Sequence, residues 1–259
     1  MTIGVFDSGV GGLSVAKKIR ELLPHENLLY LADSLHAPYG EKSASFINER
    51  ARIIVQFLIN QGATLIVVAC NTATVSCIKE LRAQFSIPIV GVEPGVKTAV
   101  ANSVSKVVGI LATTQTLKSR AFTVLANQHS KNVTVEVQAC PGLVEQVEGL
   151  LLNDSNTQAL VQQYVQPLIN KGADKIVLGC THYAFLAPII QQVAGPNIEI
   201  INTATPVAQE VVRRLSARGL ASNNCELGTD AFFSSGELEL AMRQMKILWG
   251  ENVRVEPMV

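Results

Sequence analysis

Hydrophobic and polar positions along the chain follow two periods. Short runs rich in Val, Ile and Leu, at 3–6, 28–32, 65–69, 88–92, 107–111, 133–138, 175–179 and 198–202, have the length and β-branched content of buried strands. Between them apolar residues return every three or four positions, as in Ile47, Ala51, Ile54 and Leu58, which places them on one face of a helix. Strand–helix–strand alternation of this kind predicts an α/β fold, a parallel sheet covered by helices. After residue 205 the pattern predicts a helix at 206–217, a strand near 231–233, a helix at 237–248 and a last apolar run at 253–255. This tail is too small to form a core alone and is expected to pack back onto the start of the chain.

The pattern also repeats. "LINQGATLIVVAC" at 58–70 matches "LINKGADKIVLGC" at 168–180 in eight of thirteen positions, at a constant offset of 110. Each copy is a helix end, a Gly turn, a buried strand and a terminal Cys. "IGVFDSGVGGLS" at 3–14 rhymes more weakly with "VGILATTQTLKS" at 108–119. A repeated unit of this size predicts duplication of one α/β domain. The expected arrangement is two similar parallel-sheet domains in a pseudo-twofold pair, residues 1–96 with 208–259 and residues 97–207, with the active site in the cleft between them.

Composition narrows the partners. The 259 residues include 21 basic and 21 acidic side chains with no Lys/Arg cluster, so nucleic acid and anionic membrane are poor candidates for the main partner. Mean hydropathy is +0.28, yet no apolar run approaches a membrane span. Met1-Thr2-Ile3 leads straight into a strand-like run without a basic n-region, so no signal peptide is expected. Five cysteines without a C-x-x-C pair predict neither a disulfide framework nor a zinc ribbon, and point to the reducing cytoplasm.

A Cys at the end of an apolar strand is ordinarily small core filler. Cys70 and Cys180 recur at matched strand ends, where open parallel sheets hold ligands, and each is followed by polar residues, Asn71-Thr72 and Thr181-His182. Two thiols facing each other across a cleft suit removal of a proton from one face of a carbon and its return on the other. An ordinary thiol titrates near pH 8.5, and positive neighbours lower that value. "FDSGVGG" at 6–12 permits a tight turn and close backbone approach. Asp7 disfavours a phosphate there, and Asp7-Ser8 reads either as a contact for an ammonium or thiol or as a helix cap. "HAPYG" at 36–40 would present backbone N–H groups and a phenol through Pro38, Tyr39 and Gly40, or is an ordinary loop with a packed tyrosine. His182 can serve Cys180 as a base; His25, His36 and His129 read as surface or loop residues. Glu148, in "GLVEQVEGL", reads as a surface helix charge. Cys77 reads as packing, and Cys140 and Cys225 have no identifiable partner.

Together, "FDSGVGG", "PYG", "ACNTA", "GVEP" and "GCTHY", in that order along nearly the whole chain, resemble the glutamate racemase family of the aspartate/glutamate racemase superfamily. His182, where aspartate racemases tend to carry Glu, and the D-S-G-V-G-G opening point toward glutamate. The resemblance implies interconversion of L- and D-glutamate without cofactor or metal, supplying peptidoglycan synthesis. It implies that Cys70 deprotonates D-glutamate and Cys180 L-glutamate, assisted by Asp7 and His182. Asp7, Ser8, Tyr39, Gly40, Asn71, Thr72, Thr181 and His182 would hold the substrate, and Glu148 matches an acidic position near the second Cys. Enzymes of this family and size often pair as homodimers. The chain departs from the pattern at Ala184, at Glu145-Gln146 and in "SLHAPYG". Racemisation of aspartate, a Cys180–His182 hydrolase and a non-catalytic amino-acid binding module are the alternatives.

Overall fold

A computed structural model describes residues 1–92, 95–129, 132–219 and 226–259; Glu93, Pro94 and Cys225 lie outside the described residues. The chain opens with β1 (Thr2–Asp7), α1 (Leu13–Leu22), β2 (Asn27–Ala32), α2 (Ala44–Asn60), β3 (Leu65–Val68), α3 (Asn71–Gln84) and β4 (Ile89–Gly91). It continues through α4 (Val96–Asn102), β5 (Val107–Ala112), α5 (Thr114–Lys118), α6 (Arg120–His129), β6 (Thr134–Ala139) and α7 (Leu143–Glu148). Then follow α8 (Ser155–Asn170), β7 (Lys175–Gly179), α9 (Ala187–Ala194) and β8 (Glu199–Ile201). The tail is α10 (Ala204–Ser216), β9 (Asp230–Ser234), α11 (Leu238–Leu248) and β10 (Val255–Pro257).

The strands form two sheets, and every pairing in them is parallel. One has the order β10-β9-β2-β1-β3-β4; the other is β6-β5-β7-β8. The run β2-β1-β3-β4 therefore has the same layout as β6-β5-β7-β8, with β1 equivalent to β5 and β3 to β7. The two-domain α/β architecture expected from the repeat is the one observed. The tail supplies the two outer strands of the first sheet, β9 beside β2 and β10 beside β9. Pairing trims the strands expected at 88–92 and 198–202 to three residues each, because only Ile89–Gly91 and Glu199–Ile201 find partners on β3 and β7. The last strand also lies two residues later than the apolar run at 253–255; Val253 is buried, but the ladder begins at Val255 opposite Phe232.

The helices close over these sheets through the apolar stripes read from the sequence. Ile47, Ala51, Ile54 and Leu58 of α2 are all buried, and Ser43 caps this helix by accepting from the Phe46 N–H. Asp154 caps α8 by accepting from the Asn156 N–H. Glycines at matched positions let the two long helices approach the central strands. A Cβ on Gly4 would lie 3.2 Å from Leu58 Cβ, and one on Gly109 would lie 3.2 Å from Leu168 Cβ. One apolar cluster runs from β1 and α1 through Tyr183 and Leu186 to α8, α10 and α11, so the halves share a core.

Gly4→Ala and Gly109→Ala should each destabilise the protein by about 1–3 kcal/mol through overpacking of these helices. Equilibrium denaturant unfolding of the two variants measures the loss.

Candidate active site

Connections leave β1 and β3, and likewise β5 and β7, toward opposite sides of each sheet, which opens a crevice at their C-terminal ends. Asp7 ends β1 and Cys70 follows β3, so both occupy the first crevice. Thr113 and Cys180 follow β5 and β7 and occupy the second.

Asp7 is fully buried and joins the halves. Its Oδ1 accepts from the Ser8 N–H (2.8 Å), and its Oδ2 accepts from the Gly12 N–H (2.6 Å) and from Thr181 Oγ1 across the cleft (3.0 Å). The Gly12 N–H at the start of α1 thus serves a carboxylate of the chain itself. Burial raises the Asp7 carboxyl above its usual range, opposed by the His182 charge and these hydrogen bonds. Cys70 precedes α3; its Sγ accepts from the Ala73 N–H (3.4 Å) and lies 3.8 Å from Ser8 Oγ. Burial pushes the Cys70 thiol well up and the neighbouring Asp7 pushes it further, with Cys180 also contributing.

On the other side, His182 Nδ1 sits 3.7 Å from Cys180 Sγ and 4.0 Å from Asp7 Oδ2, while Nε2 bonds Glu148 Oε1 at 2.6 Å. Burial disfavours the imidazolium, yet the Cys180 and Glu148 contacts outweigh it and hold His182 well above its usual range. For Glu148, burial is overcome by the His182 bond and charge, then by the Val10 N–H (2.9 Å) and Gln244, so its carboxyl is lowered. Glu148 is therefore not the free surface charge that its helical setting suggested. It reaches from the end of α7 into the glycine loop of the first half. The glycines make that reach possible: a Cβ on Gly9 would lie 1.8 Å from Glu148 Oε1, and one on Gly11 would lie 2.3 Å from His182 Nδ1. Tyr30 anchors the loop by donating to the Gly9 carbonyl (2.7 Å).

The other expected residues separate into engaged and unengaged groups. Both side-chain polar atoms of Asn71 are buried without a hydrogen-bond partner among the described residues, directly after Cys70. Thr72 Oγ1 is shared with Thr113 Oγ1 (2.9 Å) and Thr116 Oγ1 (3.1 Å), another bridge between the halves. Tyr39 does not present its phenol to a ligand: the hydroxyl donates to Asp33 Oδ2, which also holds Arg50. Gly40 packs against Thr113, and Pro38 lines a narrow crevice with Gly40, Thr113 and Cys140. His36 sits in the loop and bonds Asp33; Cys77 is buried in α3. Asp33, Thr113, Thr116, Tyr30 and Gln244 were not singled out in the sequence. Only Thr113 left a trace, in the weak rhyme between 3–14 and 108–119 that aligns it with Ser8. Among the described residues, no group of three or more His, Cys, Asp or Glu side chains is arranged to hold a metal ion, and no helix is long and apolar enough to cross a membrane.

Residues 3–211 match the model of the Asp/Glu/Hydantoin racemase family. The chain is 52% identical to the glutamate racemase of Methylococcus capsulatus over 99% of its own length and 94% of that relative. A glutamate racemase isoform from Bacillus anthracis superposes with a TM-score of 0.91 at 31% identity, covering 99% of this chain and 96% of that one. The Escherichia coli glutamate racemase, solved in complex with L-glutamate and the activator UDP-MurNAc-ala, gives 0.87 at 30% identity, covering 99% and 98%.

His182 is expected to titrate well above 6.5, and Glu148→Gln to bring it back toward that value, as followed by 15N NMR of the imidazole. Since the folded value exceeds the unfolded one, the stabilisation from protonated His182 is complete below about 6.5 and fades as pH rises through the folded value. Thermal melts of wild type and Glu148→Gln should differ most on the acid side of that transition.

Proposed function

The chain belongs to the Asp/Glu/hydantoin racemase family, and on that premise we propose that it interconverts L- and D-glutamate by proton transfer between two thiols, without a cofactor. The observation that carries this reading is the placement of Cys70 and Cys180 at the ends of equivalent strands, on a buried network joined by the Asp7–Thr181 hydrogen bond. Cys70 takes the α-proton of D-glutamate and Cys180 that of L-glutamate; the opposite thiol returns a proton to the other face of the carbon. Asp7 and Ser8 assist Cys70, and His182, held by Glu148, assists Cys180.

The demanding step is loss of an α-proton far less acidic than a thiol. Stabilisation of the carbanion-like transition state rests on preorganised donors in a water-poor cleft. The unpartnered amide of Asn71 supplies one such group, beside Cys70. Asp7, Ser8, Asn71, Thr181 and His182, with the main chain of Pro38–Gly40, form the substrate contacts in this reading, and Thr72 holds the two halves in register. Residues 1–96 with 208–259 close as one domain against 97–207. The raised Cys70 thiol is protonated at rest, ready to donate to the carbanion formed from L-glutamate. The enzyme acts in the cytoplasm as a homodimer, and its D-glutamate serves peptidoglycan synthesis. That its relatives carry the name glutamate racemase supports glutamate over aspartate as the substrate of this chain.

Cys70→Ser and Cys180→Ser should each lower racemisation by about two orders of magnitude or more, the scale of lost general acid–base catalysis. Incubation with each enantiomer in D2O, reading deuterium at the α-carbon beside optical rotation, measures this. Exchange with inversion supports racemisation. Near-full rate in either variant excludes the two-thiol assignment, and neither exchange nor inversion in wild type excludes a racemase.

A further inference from the structure

We propose that Gln244, on the tail helix α11, is a positioning residue that sets the Cys180 side of the site by orienting Glu148, an inference that rests on the racemase reading above. Its side chain is buried and its amide nitrogen donates twice to one residue, to the Glu148 carbonyl (2.6 Å) and to Glu148 Oε2 (3.1 Å). Glu148 Oε1 is already shared by the Val10 N–H and His182 Nε2. The two carboxylate oxygens therefore have separate duties, one toward His182 and one toward Gln244. A carboxylate gripped through Oε1 alone can rotate about its last bond; Gln244 fixes its plane, and with it the direction in which Nε2 is held. The second bond pins the main chain at the end of α7, where a helix leaves carbonyls without internal partners.

The orientation of the amide is set by these partners, since a flipped amide would point its oxygen at two acceptors. It also leaves Gln244 Oε1 buried with no partner among the described residues. A glutamine serving packing alone has no reason to bury an unpaired oxygen, whereas one committed to Glu148 does. Gln244 and Glu148 line a cavity of about 540 Å³ together with Pro38, Val144 and Leu240. Without the glutamine amide, Oε2 would be free to turn toward that space and away from the plane shared with His182. The tail, which otherwise completes the first sheet, thus reaches the acid–base group of the second half.

Gln244→Met keeps the volume and removes both donors; Gln244→Glu keeps the shape and sets a second carboxylate against Glu148. With full-length enzyme and each glutamate enantiomer, Gln244→Met should lower kcat about tenfold or more, the scale of losing a hydrogen bond to a charged group, with KM nearly unchanged. Its acid limb in the kcat/KM pH profile should move to higher pH, because Glu148 loses a donor that favours its ionised form. Gln244→Glu should lose more at neutral pH and recover toward the Met variant as pH falls and the new carboxyl gains a proton to donate. Wild-type kcat with an unshifted profile in Gln244→Met overturns the proposal, as does a loss that tracks a lower Tm with no pH shift. If wild type racemises neither enantiomer, the racemase reading fails instead, and 15N NMR of His182 decides the positioning alone. A fall of the His182 titration toward its ordinary value in Gln244→Met supports it, and an unchanged titration overturns it.

Discussion

The hydrogen bond between His182 and Glu148, seated beneath the glycine loop of the opposite half, is the constraint on which the site depends. Both partners come from the second half, but the space they fill is made by Gly9 and Gly11 of the first. A buried imidazolium–carboxylate pair is tolerated only when its remaining polar atoms are met, and here the Val10 N–H and the Asp7 neighbourhood meet them. Protonation at the cleft is therefore tied to the fit between halves. Separating them would withdraw the Val10 donor from Glu148 and the Thr181 donor from Asp7 together.

Duplication of the fold has not duplicated the chemistry. The first strand of one sheet ends on Asp7 and that of the other on Ala112, so only one crevice carries a strand-end carboxylate. The turn after Cys180 carries His182, while the matched turn after Cys70 carries Asn71 and Thr72. A negative group stands beside one thiol and a positively charged ring beside the other. The scaffold is nearly symmetric and the field across the cleft is not.

Much of this was legible in the sequence because it is governed by short-range patterns. Apolar runs located the strands, and the 58–70 and 168–180 copies identified the two-sheet plan and the strand ends that bear cysteine. What remained hidden depends on contacts between distant segments. Glu148 occupies a helical position like any exposed carboxylate; nothing in "GLVEQVEGL" reports that two absent side chains at Gly9 and Gly11 open a place for it. The two readings of Tyr39, a presented phenol or a packed one, stayed open in the sequence because its acceptor, Asp33, lies in an unremarkable stretch after β2. Gln244 sits in an amphipathic helix whose pattern conveys burial and not partnership. The ends of β4 and β8 shifted because ladder pairing, and not hydrophobicity, decides where a strand stops.

The first sheet is discontinuous in the chain: its outer strands, β9 and β10, come from residues 230–257, after the whole of the second sheet. During synthesis, β2 must stand as an uncovered edge until more than two hundred residues have been added. The second half, with all its strands contiguous, can assemble first and offer a surface on which the remainder condenses. The first sheet is thus the last of the two whose strands are all available.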